Sequence, residues 1–354
     1  MRAGPRSGDA MLFNIEADRG DRITGYVVPD DYSGTPTLRV TDGAATIAMV
    51  PCAEERPALV AAGRHSTGLC GFSIDETIVP GLAENKSVEL WDSGSGILIY
   101  RRRPTEEVVH KRIFRLETHL FPLWKLDDAL EPRFQFFQKG VERHGRETAT
   151  QVFLLTHSTS LYISGRLAFK SYESYLHDKF ACVAVLHDPF FELAERLLTL
   201  KYVQRFGDDL LGARDMVSYE AAIDFARELE LDDKSLRRGF ANMPKPVIAA
   251  LANPLTRILA SESLDEPPPK GAIASALGAL STFAAVGARD REEVFLEALE
   301  ALIEAPEGTL PPVPYFGSVG QFARRLRAIP EAEMLLEMDL EIYANVKESI
   351  DAAV

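Results

Sequence analysis

Two short polar segments contain the side chains of this sequence that are best suited to bind an anion. The first segment is a run of hydroxyl and imidazole side chains: Thr156, His157, Ser158, Thr159 and Ser160. The second is His187-Asp188-Pro189, in which Pro189 suits the first turn of a helix. Hydroxyl groups and free backbone N–H groups before a helix favour a phosphate. The alternative is structural, because Thr159, Ser160 and Asp188 can also act as helix caps.

The histidines and one nearby carboxylate are the candidates for acid–base chemistry. His157 or Glu192 could act as a general base, and His187 could accept a proton or, once protonated, donate to a phosphate. Each histidine could instead be a hydrogen-bonded structural residue. Neither segment has the glycine pattern of a P-loop or a dinucleotide fingerprint. His119 and Glu117 lack a metal-ligand spacing, and we expect no metal site.

Strands and helices must position these two segments. Apolar patterns predict a strand at 151–155 and a helix at 160–175 around the first segment, and a strand at 180–186 and a helix at 190–202 around the second. Strand, helix, strand and helix in this order predict a parallel βαβ unit, whose ligands bind beyond the carboxyl ends of the strands. Further helices are predicted at 106–116, 126–140, 219–230, 233–240, 246–259, 271–283, 292–303, 322–326 and 331–346.

The first hundred residues have a different pattern. Short alternating apolar runs, separated by turn residues at roughly 8–12-residue spacing, predict antiparallel strands. These strands are expected at 23–28, 37–41, 45–50, 71–74, 87–91 and 97–100. We therefore predict a disordered start at 1–11, a small all-β sandwich domain at 12–103, and an α/β domain with a parallel sheet flanked by many helices at 104–350.

Composition narrows the class of protein. The 354 residues include 39 Lys and Arg against 53 Asp and Glu, a formal net charge of −14, which argues against a protein whose whole surface binds nucleic acid. Residues 101–170 are locally basic, with 13 Lys and Arg against 8 Asp and Glu. No signal peptide or transmembrane segment is recognisable, and we expect a cytoplasmic protein. Cys52, Cys70 and Cys182 form no Cys-x-x-Cys pair and are expected to be small buried residues.

Five segments occur in an order typical of one family. They are Val152–Leu161, Val183–Leu197, Asn253–Leu259, Phe283–Gly287 and Asp339–Tyr343. Between about 105 and 346 the chain thereby resembles the sulfotransferases, specifically the bacterial and carbohydrate branch with its P-loop-NTPase-like α/β fold. The resemblance implies a site for the donor 3′-phosphoadenosine 5′-phosphosulfate (PAPS). It places the Thr156–Ser160 segment at the 5′-phosphosulfate, His187 at the 3′-phosphate, and Asn253 and Arg257 in a further motif of the family.

Departures from the family pattern fall at the donor site. The family's lysine in the first loop is missing between Gln151 and Leu161. In the second segment, His187 and Glu192 replace the two arginines of the family and Glu195 replaces its serine. A carboxylate a few ångströms from a phosphate repels it strongly at low dielectric. Ordinary PAPS binding is therefore not expected.

Two functions follow from this pattern. The first is a sulfotransferase-like, non-catalytic binding or regulatory partner in cell-surface polysaccharide biosynthesis, whose partners are carbohydrates or glycan-synthesis proteins. The second is an active transferase that moves a sulfuryl group from PAPS to a glycan hydroxyl through an atypical donor site. The cations available to that site are Arg166, Lys170, Arg146 and the run Arg101–Arg103. A glycan-binding module alone would need exposed aromatic residues, and Trp91, Tyr26 and Tyr100 are equally suited to a core.

Overall fold

The computed structural model of the chain describes residues 11–29, 33–156, 158–205 and 210–353. The predicted disordered start, apart from Met11, and the candidate base His157 lie outside the described residues. The chain divides into two compact units, the first consisting of 1–112 and 131–163 and the second of 113–130 and 164–354. Within the described ranges, no helix combines the length and the apolar character that crossing a bilayer requires.

Two small antiparallel sheets account for the first hundred residues. Their strands are β1 (Leu12–Asp18), β2 (Arg22–Val28), β3 (Thr37–Asp42), β4 (Ala45–Pro51), β5 (Glu54–Glu55), β6 (Leu69–Asp75), β7 (Val88–Asp92) and β8 (Leu98–Arg101), with the short helix α1 (Pro57–Ala61) after β5. The strand orders are β1-β2-β6-β5 and β4-β3-β7-β8. Each predicted strand overlaps an observed one. Period-two burial explains this success, since Ile23, Gly25 and Val27 of β2 are buried while Thr24 and Tyr26 are only partly so.

A five-stranded parallel sheet, flanked by helices, forms the α/β part of the chain. Its strands are β9 (Arg112–Leu116), β10 (Phe136–Gln138), β11 (Leu161–Gly165), β12 (Ala181–Leu186) and β13 (Ala285–Ala288). They lie in the order β10-β11-β9-β12-β13. Strand β12 pairs in parallel with β9 on one side and with β13 on the other. The predicted α/β class with a parallel sheet is confirmed at this level.

Helices make up much of the rest of the described chain. They are α2 (Trp124–Leu130), α3 (Arg146–Phe153), α4 (Phe169–Leu176), α5 (Pro189–Lys201), α6 (Ala213–Ser218), α7 (Glu220–Glu228), α8 (Asp233–Ala241), α9 (Lys245–Leu251), α10 (Pro254–Ala260), α11 (Ala272–Leu280), α12 (Glu292–Leu302), α13 (Gly317–Leu326), α14 (Pro330–Leu335) and α15 (Glu337–Ala353). The predicted apolar stripe of α5 is buried, and α5 packs against α7 and α13. Helix α5 is therefore held firmly along its length, with its start next to the end of β12.

Four predicted elements are wrong, and all lie before β12. The helix expected at 126–140 ends with α2 at Leu130, and the strand β10 lies within the rest of its expected range. Residues 151–155 were expected to form a strand, but they belong mostly to the helix α3 and its end. The helix expected at 160–175 is the strand β11 followed by α4, and the helix expected at 106–116 ends in the strand β9. Apolar runs of about five residues do not distinguish a buried strand from a helix, which explains these errors.

Two predicted helices are each broken in two. The helix expected at 331–346 consists of α14 and the start of α15, and the helix expected at 246–259 consists of α9 and α10. Asn253 separates α9 from α10 and adopts the left-handed conformation, with a φ of 47°. Asparagine tolerates this conformation better than most residues, and Pro254 then begins α10 with its fixed φ. The side chain of Asn253 accepts hydrogen bonds from the backbone N–H groups of Met338 and Asp339 at 3.0 and 3.3 Å. Asn253 therefore has a structural role at the start of α15.

Candidate functional site

The carboxyl ends of β9 and β12 lie side by side at the point where the chain leaves the sheet in opposite directions. The strand that follows β9 along the chain is β10, on one side, and the strand that follows β12 is β13, on the other. Such a switch point leaves a crevice in which open α/β sheets bind their ligands. Glu117, Thr118 and His119 come directly after β9, and His187 and Asp188 come directly after β12. All of these residues belong to the second unit.

Arg115 of β9 is the centre of a fully paired set of buried charges. Its Nε and Nη2 atoms donate to the two carboxylate oxygens of Asp127 at 3.0 and 2.8 Å, and its Nη1 atom donates to Glu117 at 2.9 Å. Burial opposes ionisation of Glu117, but the charge of Arg115 and a hydrogen bond from His119 outweigh burial and hold the pKa of Glu117 well below its usual range. Arg115, Glu117 and Asp127 are called the Arg115 network below.

Two histidine rings are in contact beyond the carboxyl ends of β9 and β12. Their centroids, in His119 and His187, are 3.8 Å apart, and the planes are tilted by 34°. The Nδ1 atom of His119 lies 2.9 Å from Oε1 of Glu117, which places a proton on this nitrogen as the donor. Burial lowers the pKa of His119, but the hydrogen bond and charge of Glu117 outweigh it, so that the pKa is raised overall.

His187 has a different environment. Its side chain is buried, and neither ring nitrogen has a hydrogen-bond partner among the described residues. Burial, followed by the positive charges of His119 and Arg289, lowers the pKa of His187 well below its ordinary value. His187 is therefore a neutral imidazole whose ring nitrogens are unused by the fold.

Helix α5 begins directly after β12 and brings two carboxylates to the same place. Asp188 caps the helix by accepting hydrogen bonds from the N–H groups of Phe190 and Phe191 at 3.0 and 3.2 Å, and Pro189 occupies its first turn. Glu192 and Glu195, in the first two turns, are buried and lie close enough to His119 for their charges to raise its pKa. The predicted helix cap at Asp188 is confirmed.

The two carboxylates of α5 are incompletely paired. Oε1 of Glu192 accepts a hydrogen bond from Arg196 at 2.7 Å. The Oε2 atoms of Glu192 and Glu195 are buried and have no hydrogen-bond partner in the part of the chain that the structure describes. Burial, and then the charge of Glu192, raise the pKa of Glu195 to about 8, so that Glu195 carries a proton at neutral pH. His187, Glu192 and Glu195 are called the α5 group below.

A set of arginines adjoins the α5 group through Arg196. Arg196 and Arg166 donate to the hydroxyl oxygen of Tyr219 at 2.7 and 3.3 Å, and Arg166 also pairs with Asp215 at 2.7 Å. Arg257 is buried, and burial, with the nearby charge of Arg196 adding to it, lowers its pKa. Its Nε atom is buried without a hydrogen-bond partner among the described residues. Arg166, Arg196 and Arg257 are called the Tyr219 arginines below.

This arrangement offers two kinds of chemistry in one buried region. A neutral imidazole and carboxylate oxygens are ligands for a transition-metal cation, and they can also accept or donate a proton. Guanidinium groups are donors to phosphate, sulfate or carboxylate. Arg196 belongs to both parts because it pairs with Glu192 and with Tyr219.

The structure brings four of the sequence-predicted site residues into this region. His187 and Glu192 are in the α5 group, and Arg166 and Arg257 are both Tyr219 arginines. Asn253, predicted with Arg257 on the family resemblance, instead makes the backbone contacts described above at the start of α15.

The hydroxyl-rich segment Thr156–Ser160 has a different position from the one expected. It precedes β11 rather than following a strand, so it lies at the amino end of β11 and lacks the location on which its predicted role depended. Ser158 donates to Gln135 at 2.8 Å, and the backbone N–H group of Gln135 donates to Ser160 at 3.0 Å. Thr159 contacts the ring of His110 at 3.2 Å, and Thr156 is exposed. The described hydroxyls of Ser158 and Ser160 thus hold a loop together.

Sequence reasoning missed the contribution of β9. Glu117 and His119 were considered only as neighbours in sequence, and Arg115 and Arg196 were not considered at all. The signal that could have identified them is a polar Glu-Thr-His directly after a short buried strand, but that strand was predicted to be a helix. The loop after β9, rather than the segment 156–160, occupies the ligand-binding edge of the sheet.

Comparison with models of protein families, with curated proteins and with solved structures finds no match to this chain. The residues at the carboxyl ends of β9 and β12, together with the sequence segments that resemble a family, are the basis for a function.

Proposed function

We propose that this chain is a sulfotransferase-like protein that does not bind PAPS and serves as a non-catalytic binding or regulatory partner in cell-surface polysaccharide biosynthesis. The observation that carries the proposal is Glu192, which is buried at the switch point with one carboxylate oxygen unpartnered among the described residues. The sequence resemblance supplies the family and the polysaccharide setting. Carbohydrates and glycan-synthesis proteins are the corresponding partners.

The charges in the crevice support this proposal. The guanidinium of Arg115 is occupied by Asp127 and Glu117, and that of Arg196 by Glu192 and Tyr219. A donor phosphate placed beside the α5 group would face Glu192, and the two arginines just named are already paired with carboxylates. Two like charges about 4 Å apart repel by about 4 kcal/mol at an effective dielectric constant of 20. This repulsion is large enough to abolish a typical nucleotide site.

Thermal unfolding with adenosine 3′,5′-bisphosphate, the nucleotide that PAPS leaves behind, tests the proposal. A ligand at 100 times its dissociation constant stabilises a protein by about 2.7 kcal/mol, which is readily seen as a rise in melting temperature. We expect no rise over a titration into the millimolar range. A saturable rise would overturn the proposal.

The second candidate function is an active sulfotransferase with an atypical donor site, and one observation favours it. Two predicted donor-binding residues, Arg166 and Arg257, lie beside Tyr219, and the Nε atom of Arg257 is unpartnered in the described structure. The other cations considered are less suitable, since Lys170 is partly exposed and pairs with Glu173, while Arg101 pairs with Glu89 and Glu131.

The same nucleotide titration distinguishes the two functions when it is combined with a variant. If the nucleotide binds through the Tyr219 arginines, Arg257→Gln will remove the rise in melting temperature, and sulfuryl transfer from PAPS to a glycan will fall with it. The matched control is Arg324→Gln, which changes an exposed arginine of α13. Absence of binding and of transfer in the unmodified chain would exclude this second function.

A further inference from the structure

We propose that His119, His187 and Glu192 form a binding site for a divalent first-row transition ion such as Zn²⁺. All three side chains are buried, and one potential ligand atom from each lies within 4.8 Å of the others. The proposal goes beyond the proposed function, because it requires neither a nucleotide nor a glycan.

The fold leaves one suitable atom on each of these side chains. The Nδ1 atom of His119 donates to Glu117, so its Nε2 atom has a lone pair in the neutral ring, and only a long contact of 3.4 Å joins Nε2 to the Thr118 hydroxyl. Oε1 of Glu192 is held by Arg196, whereas Oε2 is buried and has no partner among the described residues. Both nitrogens of His187 are likewise unpartnered, although the residue is only 5% exposed. Buried polar atoms without partners are rare in native proteins and call for a ligand.

The separations are compatible with a small adjustment on binding. Zinc ligands at about 2.0–2.1 Å in tetrahedral geometry lie about 3.3 Å from one another. The largest separation permitted by the 4.8 Å limit would then have to shrink by about 1.5 Å. Rotation of His187 and Glu192 can supply this movement, because the nitrogens of His187 and Oε2 of Glu192 have no hydrogen-bond partner among the described residues. The Nε2 atom of His119 would exchange a contact of 3.4 Å with the Thr118 hydroxyl for the ion.

The surroundings of the three side chains favour such an ion. Metal-binding histidines commonly donate their second N–H group to a carboxylate, which fixes the tautomer, and Glu117 has this relation to His119. Two imidazoles and one carboxylate are typical ligands of zinc, whereas Mg²⁺ and Ca²⁺ prefer oxygen ligands alone. Three protein ligands leave a fourth coordination position for water or an anion.

Equilibrium dialysis of the full chain tests this site. The protein is stripped with a chelator, dialysed against Zn²⁺, and its bound zinc is determined by elemental mass spectrometry. We expect one Zn²⁺ per chain, and no displacement by an excess of Mg²⁺ or Ca²⁺. The melting temperature should rise with Zn²⁺ concentration as the site fills.

Variants then locate the ion. His187→Asn and Glu192→Gln should each weaken zinc binding by about 100-fold or more, since loss of an outer partner alone weakens it by about 10–100-fold. Glu117→Gln should weaken it within that smaller range. The matched controls are His177→Asn and Glu297→Gln, which remove an exposed imidazole and an exposed carboxylate.

A second measurement distinguishes loss of the site from loss of the fold. His187→Asn removes a buried ring that packs against His119 and Phe191, so the zinc-free variant should melt below the zinc-free unmodified chain. The informative quantity is the rise in melting temperature when Zn²⁺ is added to each folded protein, and only the unmodified chain should show it. Failure of the unmodified chain to retain zinc would overturn the proposal. So would equal zinc affinity in His187→Asn and in the His177→Asn control.

Discussion

The Arg115 network and the α5 group are buried to a similar extent but differ in how their charges are satisfied. In the network, the carboxylates of Asp127 and Glu117 accept three hydrogen bonds from one guanidinium. In the α5 group, both nitrogens of His187 and one oxygen of each glutamate have no partner among the described residues. The stacked rings of His119 and His187 connect the two regions.

This difference in hydrogen-bond partners indicates which of the two regions is structural. A buried charge that is fully paired stabilises one conformation once it is formed, and removing a partner is strongly unfavourable. A buried polar atom without a partner destabilises the fold, and a bound ion is one of the few arrangements that explain why a native protein retains it. The contrast assigns a structural role to the Arg115 network and a ligand-binding role to the α5 group.

The largest expected effect is that of breaking the Arg115 network. Arg115→Met should lower the free energy of unfolding by about 3–5 kcal/mol, because it leaves Asp127 and Glu117 buried without their cation. Urea unfolding followed by circular dichroism measures the change. The control Arg324→Met, on an exposed face of α13, should change the free energy by no more than about 0.5 kcal/mol. Equal stability of the two variants would show that the network does not hold β9 in place.

Replacing Glu195 of the α5 group should have a smaller effect, and at high pH it should raise rather than lower the free energy of unfolding. The pKa of Glu195 in the folded chain is about 8, above its ordinary value of 4.5, so folding favours the protonated form. The stability contributed by this proton is complete below about pH 4.5 and is lost as the pH rises through 8. Glu195→Gln cannot lose a proton and should therefore be more stable than the unmodified chain at pH 8.5, by on the order of a few kcal/mol.

Urea unfolding at pH 5, 7 and 8.5, with a chelator present to keep ions out, measures this dependence. The matched control is Glu297→Gln, an exposed residue of α12, whose stability should follow that of the unmodified chain at every pH. Glu117 should behave in the opposite way, because its pKa lies below the ordinary value and its contribution is lost only on acidification. A constant difference between Glu195→Gln and the unmodified chain would mean that Glu195 is not protonated by burial.

The part of the site that β12 and α5 supply could be predicted from the sequence, because its signals lie in neighbouring residues of the chain. The uninterrupted apolar run of β12 predicts a buried strand, and Asp188-Pro189 is a recognisable start of a helix. These signals were sufficient to place His187 and Glu192 at the carboxyl end of a parallel strand. The sequence also indicated that the charge of Glu192 is unfavourable for a phosphate. It did not indicate that Glu192 lies close to His119.

The part of the site that β9 supplies could not be predicted, because the contacts that stabilise this strand join residues far apart in the sequence. Arg112 and Arg115 interrupt the apolar pattern of β9, and a buried arginine in a strand is possible only because Asp127 neutralises it from α2. No sequence spacing reveals that pairing. Because β9 was not recognised as a strand, the polar segment 156–160, which follows the apolar run 151–155, was taken as the first ligand-binding loop. It was thereby placed after a strand, whereas it precedes β11.

The smallest expected effect concerns the cap that holds the start of α5. Asp188→Ala should lower the free energy of unfolding by about 1 kcal/mol, because two N–H groups lose their acceptor. Asp188→Asn keeps a capping oxygen and loses only the exposed ion pair with Arg327, so its stability should be within about 0.5 kcal/mol of the unmodified chain. Urea unfolding distinguishes the two variants. Because the cap lies outside the Arg115 network, Asp188→Ala should leave the pH dependence due to Glu117 intact while weakening zinc binding at His119, His187 and Glu192. If it altered both regions equally, the two could not be treated as separate parts of the crevice.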